Sequence, residues 1–305
     1  MVVLITGANG QLGQAIQSIV GKYPSIDFVF CTSSELNITD KSNCETVFTK
    51  YKPNFCINAA AYTAVDKAES EPEKAFAINV TGAQNIAEVC KIHNTILLHV
   101  STDFVFDAKY VNGKAYYDRE LRLPLKSEKG LTETDVPFPA GIYGLTKLQG
   151  EQAIESIWAK HFIIRTSWVY SKFANNFMKT MLRLASERDS LSVVSDQIGT
   201  PTNAVDLAEA LLKIITSCHD EFVRRSGVEV FGIYNFSNEG HCSWYDFAKE
   251  IFRVNNIFIN LQPIPTSAYP TPAKRPAYSV LDKSKIKTVF GVEIKNWQES
   301  LKTVK

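Results

Sequence analysis

The sequence predicts an α/β fold in which a doubly wound parallel sheet is followed by a smaller C-terminal domain. Short apolar runs without alternation recur along its first half, as in strands buried on both faces. Helical segments stand between those runs, the order that builds a parallel sheet. The first run ends in Gly7-Ala-Asn-Gly10-Gln-Leu-Gly13, a glycine-rich turn that opens a helix.

Taken in order, residues 2–5 form the first strand, and 10–20 form a helix with Leu12, Ala15, Ile16 and Ile19 on one face. Residues 28–31 are the second strand. Thr39 or Asp40 can cap a helix running to about residue 50, and 55–58 is the third strand. Pro72 suits a helix start, and 73–93 follows as one helix. Residues 96–100 are the fourth strand, 143–158 a helix and 162–165 the fifth strand. Beyond about residue 167 the alternation weakens: 176–187, 205–216 and 243–254 read as helices and 234–236 as a short strand. Residues 262–276 are too rich in proline for a regular element and read as an extended loop. Residues 107–137 carry mixed charge, three tyrosines and no period, which fits a lid, a binding loop or a solvated insertion. The division expected is a Rossmann-type domain over 1–167, with a returning segment at about 203–237, and a substrate-binding domain over 168–202 and 238–305.

A chain of 305 residues can bury such a core without staples. Its 33 basic and 32 acidic residues leave a net charge of +1, which argues against a cradle for a nucleic-acid polymer. No apolar run approaches the ~20 residues that span a bilayer, and the opening Met-Val-Val-Leu-Ile-Thr-Gly has no basic n-region. A cytoplasmic protein without a membrane partner is expected. The six cysteines contain no CxxC pair, so buried free thiols in a reducing compartment are expected. The five histidines are too scattered for zinc spacing, and no metal site is expected.

The glycines permit a tight strand-to-helix turn and let backbone approach a pyrophosphate closely, so Gly7 and Gly10 are candidate dinucleotide contacts. The ribose contact should lie at the end of the second strand, about twenty residues on. Cys31-Thr32-Ser33-Ser34 stands there, with no acid for a free 2′-hydroxyl and room for a 2′-phosphate. This favours NADPH, with NADH as the alternative cofactor.

Tyr143-Gly-Leu-Thr-Lys147 places a tyrosine and a lysine one turn apart on a helix face. Lysine there can hold a cofactor ribose and ease the loss of the tyrosine proton. Moving a tyrosine pKa from ~10 to ~7 takes about 4 kcal/mol, which a nearby ammonium supplies at intermediate dielectric. Twelve tyrosines and 24 lysines give about one such spacing by chance, and there are three: Tyr110/Lys114, Tyr143/Lys147 and Tyr245/Lys249. Only Tyr143 opens a helix that directly precedes a core strand, so its place in the βαβ order carries the assignment. Ser101-Thr102-Asp103 follows the fourth strand, over the crevice of such sheets, where Thr102 can bond a reacting oxygen.

Four segments carry a resemblance: the glycine turn, Asn58-Ala-Ala-Ala-Tyr-Thr-Ala-Val-Asp-Lys-Ala-Glu69, Ser101-Thr-Asp103, and Tyr143 to Glu151. Together they resemble the extended short-chain dehydrogenases/reductases, and more narrowly the subfamily acting on dTDP-4-dehydrorhamnose. Arg165-Thr-Ser-Trp-Val-Tyr170, Asn176-Phe177, Asp196-Gln197 and the 265–276 segment extend the likeness over nearly the whole chain. The resemblance implies a catalytic trio of Thr102, Tyr143 and Lys147. It implies cofactor contacts at Gly7, Gly10, Gln11, Leu12, Ala60, Ala61 and Tyr62, with adenine near Asn37 and Ile38. It implies a dTDP-sugar substrate held by Val65, Thr102, Asp103, Trp168, Asn176 and Arg275. Some relatives form a homodimer bridged by a metal; the resemblance leaves a homodimer and Mg2+ open here and does not place the metal's ligands. The chain departs from the family at Phe104, where a tyrosine is common, and in the length of the 107–137 stretch. A different nucleotide-sugar ketoreductase or epimerase of this fold remains an alternative, as does a non-enzymatic regulatory subunit of the methionine adenosyltransferase type.

Overall fold

A computed structural model of the chain describes residues 1–106, 110–111, 114–115, 130–219 and 230–304. Six strands form one sheet in the spatial order Gly232–Asn235, His161–Thr166, Ile96–Thr102, Phe55–Asn58, Val2–Thr6, Asp27–Cys31. Every neighbouring pair in it is parallel. Phe55–Asn58 and His161–Thr166 are buried along their whole length, as unalternating apolar runs require. Successive residues of the first strand feed opposite faces. Val3 and Ile5 join a core with Ile16, Leu207 and Leu211, whereas Leu4 joins Phe48, Ile86 and Ile163 on the other side. A third core gathers Tyr170, Met178, Leu191, Phe247 and Trp297 from the second half of the chain.

From Val2–Thr6 the chain steps to Asp27–Cys31 on one side, then crosses to Phe55–Asn58 on the other. The crevice above that reversal is where open α/β sheets bind ligands.

Most predicted elements appear within a residue or two, and four depart for physical reasons. The segment predicted as one helix over 73–93 is split into Pro72–Phe76, a π-turn at Ala77–Thr81 and Gly82–His93. The widened turn lies where Gly150 of the helix Ile142–Ile157 crosses: a Cβ there would sit 2.2 Å from the Asn79 carbonyl oxygen. Ser101 and Thr102 belong to the strand itself, which runs to Thr102. Part of the proline-rich segment is a strand, Asn260–Ile264, paired in parallel with Ser190–Val194. That sheet has only two strands, so Pro263 can sit at an edge where its missing N–H costs no ladder bond. The helix predicted over 10–20 ends at Gln17 and continues after a break as a 3₁₀ turn, Val20–Lys22. Of the 107–137 stretch, residues 107–109, 112–113 and 116–129 lie outside the described residues. Tyr110–Val111 and Lys114–Ala115 pair antiparallel, and the side chains of Tyr110 and Lys114 are not described. Leu131 bridges to Leu281.

All six cysteines are buried and free, and burial pushes Cys31 and Cys218 up to about 11 and Cys44 to about 12. Among the described residues no helix is long and apolar enough to cross a membrane.

One ion pair ties the Tyr143 helix to the sheet. Arg165 donates to Glu151 through Nε at 3.1 and 3.2 Å and Nη2 at 2.7 Å, with both side chains 1% exposed. Its guanidinium also lies 5.0 Å from the Phe106 ring centroid. Removing one partner strands a buried charge, at a cost of about 3–5 kcal/mol. Arg165→Leu is therefore expected to lower unfolding free energy by that amount in urea titrations, whereas replacing both residues by apolar ones should cost less.

Candidate active site

The glycine turn and the loop after the third strand touch beneath the crevice. Gly7 has φ +67, and a Cβ there would lie 2.9 Å from the Ala60 nitrogen. A Cβ at Gly13 would lie 2.5 Å from the Gly7 carbonyl oxygen, so the turn closes only with glycine at both positions. Gly10 caps the helix Gln11–Gln17 without a side-chain bond, leaving its first-turn N–H groups free of side-chain partners. These features line a cleft of about 850 Å³ that runs to the ends of the third, fourth and fifth strands.

Gly7, Gly10, Gln11, Leu12, Asn37, Ile38, Ala60 and Ala61 all line the cleft. So do Val65, Thr102, Asp103, Tyr143, Lys147, Trp168 and Arg275. Two predicted residues stand behind the wall instead. Tyr62 is buried with its hydroxyl donating to Glu71 at 2.9 Å and its backbone N–H to Asn79 at 2.9 Å. Asn176 caps the helix Phe177–Glu187 and donates to Gln11 Oε1 at 3.0 Å. Gln11 is thereby committed: its Oε1 also accepts from Ser171 at 3.0 Å, tying the glycine turn to the second half of the chain.

The end of the second strand differs from the sequence expectation. Glu35, one residue past the Cys31-Thr32-Ser33-Ser34 stretch, turns back and accepts from the Thr32 backbone N–H and hydroxyl, each at 2.8 Å. Those bonds, the backbone one first, hold its carboxyl below the usual range. An acid is present there, folded into its own loop, while Ser33 faces the cleft.

Tyr143 and Lys147 stand on the helix Ile142–Ile157, whose N-cap Gly141 has no side chain to offer. Glu69 fills that role from outside, accepting from the Ile142 N–H at 2.9 Å. The Phe104 ring meets the Tyr143 ring edge-on at 5.4 Å, and a Cβ on Gly144 would lie 2.2 Å from the Phe104 carbonyl oxygen. Phe104 therefore fixes the tyrosine by packing. Burial pushes the Tyr143 hydroxyl up to about 12, against a bond with Thr102 that lowers it. Thr102 is buried, and its Oγ1 lies 3.1 Å from Asp103 Oδ1. Burial lifts Asp103 to about 6. Lys147 is 2% exposed, and Nζ lies 2.8 Å from the Val100 carbonyl oxygen and 3.1 Å from His99 Nε2. Burial brings this amine down to about 8, with Glu151 opposing.

At the far end of the cleft, Trp168 has φ +44 and stacks on Trp244 at 3.5 Å and 11°. Gly199 makes room for that ring, since a Cβ there would lie 2.6 Å from Trp168 Cε2. Arg275 forms a two-pronged pair with Asp66, at 3.0 and 2.8 Å, and also donates to Thr271. Its charge is held at the rim by Asp66, whose carboxyl that bond keeps below its ordinary range. Sequence reading missed Trp244, Glu69, His99 and Asp66. Of these, only Asp66 and Glu69 lay in a motif already singled out. Among the described residues, no group of three or more His, Cys, Asp or Glu is arranged to hold a metal ion.

Comparison with known proteins matches residues 1–305 to the family described as RmlD substrate binding domain. The dTDP-4-dehydrorhamnose reductase of Aggregatibacter actinomycetemcomitans is 42% identical over an alignment of 312 positions, covering 99% of this chain and 98% of the relative. The crystal structure of a dTDP-4-dehydrorhamnose reductase from Clostridium acetobutylicum superposes with a TM-score of 0.87 at 38% identity, covering 100% of this chain and 98% of the other. One from Bacillus anthracis, in complex with NADP, gives a TM-score of 0.86 at 36% identity, covering 99% and 98%.

The external cap by Glu69 is separable from the chemistry. Glu69→Ala is expected to cost about 1 kcal/mol, the usual worth of an N-cap, read as a lowered thermal midpoint, and Glu69→Gln should recover most of it.

Proposed function

Because the chain belongs to the RmlD substrate-binding-domain family, we propose that it reduces the C4 keto group of dTDP-4-dehydro-β-L-rhamnose to dTDP-β-L-rhamnose with NADPH. The observation that carries the reading is the convergence of Thr102, Tyr143 and Lys147 on one wall of the cleft above the sheet's reversal. Likeness to the reductases over almost the full chain supports the substrate, and the NADP-bound relative supports the choice of cofactor.

The residues present fit a nicotinamide dinucleotide. The Gly7–Gly13 turn is a cradle that a Cβ would fill, and the free first-turn N–H groups suit a pyrophosphate. Asn37 and Ile38 line the edge where adenine would lie, and Ser33 leaves space for a 2′-phosphate. The bound dihydronicotinamide supplies the hydride. The protein supplies the proton and the geometry. Tyr143 keeps its proton at neutral pH because burial holds it up, so it is charged with a proton to give to the forming alkoxide. Thr102 bonds the same oxygen and orients the carbonyl toward Tyr143. Lys147, as a cation, stabilises the phenolate left behind and holds the ribose. Val65 and the Trp168–Trp244 stack offer apolar surface to the sugar nucleotide.

We assign the cofactor role to 1–167 with the 203–237 return, and the substrate role to 168–202 and 238–305; the separate third core supports that division, while Ile286, Phe290 and Val292 return to the first core. The six buried free thiols support a cytoplasmic, reducing setting.

The test generates the keto-sugar in place and follows NADPH oxidation by purified protein. Tyr143→Phe is expected to lower kcat by about 10²–10⁴ while cofactor affinity is kept. No substrate-dependent oxidation by the wild type, or a Tyr143→Phe variant as fast as it, overturns the reading. The cationic form of Lys147 is lost as pH rises, so wild-type turnover should decline on the alkaline side.

A further inference from the structure

Behind Lys147 lies a buried chain of polar groups that the reaction does not use. His99, in the middle of the strand Ile96–Thr102, is 1% exposed. Its Nε2 faces Lys147 Nζ at 3.1 Å and its Nδ1 faces Asn58 Nδ2 at 3.0 Å. Asn58 Oδ1 accepts from Thr6 Oγ1 at 2.7 Å, and Thr6 Oγ1 accepts from the Ala60 N–H at 3.1 Å. Asn58, Thr6 and His99 are buried to 1% exposure or less.

The direction of these bonds can be followed from the end that has no choice. A backbone N–H only donates and an amide oxygen only accepts, so Thr6 Oγ1 accepts from Ala60 and gives its own proton to Asn58 Oδ1. That leaves the Asn58 amide NH2 to donate to His99 Nδ1. Burial, the largest cause, holds the ring well below its ordinary pKa, so it is neutral and carries one proton. With Nδ1 accepting, the proton is on Nε2, pointed at Lys147. An ammonium has no lone pair to receive it. The free amine does, and can still donate to the Val100 carbonyl oxygen at 2.8 Å.

We propose that His99 is a positioning residue that seats Lys147 as its free amine, so that a ligand recognised by the Lys147 ammonium draws in a proton as it binds. Among the other ionisable groups around the pair, Glu151 favours the ammonium, against the burial that favours the amine. Glu151, one turn along the helix, is taken up by Arg165 of the strand His161–Thr166. Asp103 follows the His99 strand, Tyr143 stands one turn back, and His161 lies on the neighbouring strand. Among the described residues Nζ hydrogen-bonds only His99 and Val100. The amine form prevails above the lysine's value of about 8. Proton uptake therefore belongs to the alkaline side and fades as pH falls through that value.

This inference rests on the dinucleotide reading of the cleft, and two measurements separate their failures. Titration calorimetry with NADP⁺, in two buffers of different ionisation enthalpy, counts protons taken up on binding. About half to one proton per site is expected one pH unit above the lysine value, and close to none more than one unit below it. His99→Gln lets a side-chain carbonyl oxygen accept from Nζ in place of the ring N–H, so the lysine keeps its proton to higher pH, and should cut the alkaline uptake at least in half. Nitrogen-15 NMR of the histidine rings in wild-type protein without NADP⁺ reads the tautomer directly, and a protonated Nε2 is expected at the same alkaline pH. Binding without uptake, or a proton found on Nδ1, overturns the proposal. Absence of any binding heat refutes the dinucleotide reading instead, and the tautomer measurement then decides His99 alone.

Discussion

Lys147 is a charged-type side chain held at 2% exposure, and the hydrogen bonds its burial demands organise the rest of the site. Its Nζ reaches the strand Ile96–Thr102 at Val100 and His99, and through Asn58 and Thr6 the chain of bonds crosses the third and first strands. Those are the strands between which the sheet reverses. The polar chain beneath the cleft and the topological opening above it are thus one feature. The glycine turn closes onto the same place, since Thr6 precedes Gly7 and the Ala60 N–H returns to Thr6.

The helix that delivers Tyr143 and Lys147 is held at three points by groups far away in sequence. Glu69 caps its start, Asn79 in the π-turn admits Gly150 at its middle, and Arg165 anchors Glu151. Each contact restricts a different motion of the helix: fraying, separation from its neighbour, and rotation away from the sheet. The proton-donor role proposed for Tyr143 depends on all three, because proton transfer tolerates little misplacement. Phe104 adds the last restraint by packing on the tyrosine ring. The hydroxyl that a tyrosine would bring at that position is absent, and the ring contact remains.

Legibility in the sequence followed the range of the interactions. The parallel sheet could be read because buried strands leave unalternating apolar runs, and Tyr143–Lys147 because a one-turn spacing sits at a fixed place in the βαβ order. The π-turn at Ala77–Thr81 could not, since the residue packed against it is a glycine about seventy positions later. His99 reads from sequence as a lone histidine in an apolar strand, where a satisfied core residue is the ordinary expectation. Only its neighbours in space show the bond to Lys147. Arg275 was legible as a cation of the cleft and illegible as the partner of Asp66, 209 residues away. Glu35 is hidden in the sequence because it lies one residue past the strand-end stretch and its carboxylate folds back onto Thr32.

Central to this account is that the cleft passes hydride from a nicotinamide to C4 of a sugar nucleotide while Tyr143 supplies the proton. The most direct measurement runs the reaction with NADPH deuterated at the transferable position and locates the label in the product by NMR. The account predicts deuterium at C4 of the product sugar, on one face only. A product without deuterium at C4, or label remaining in the cofactor while the sugar is converted, would contradict it.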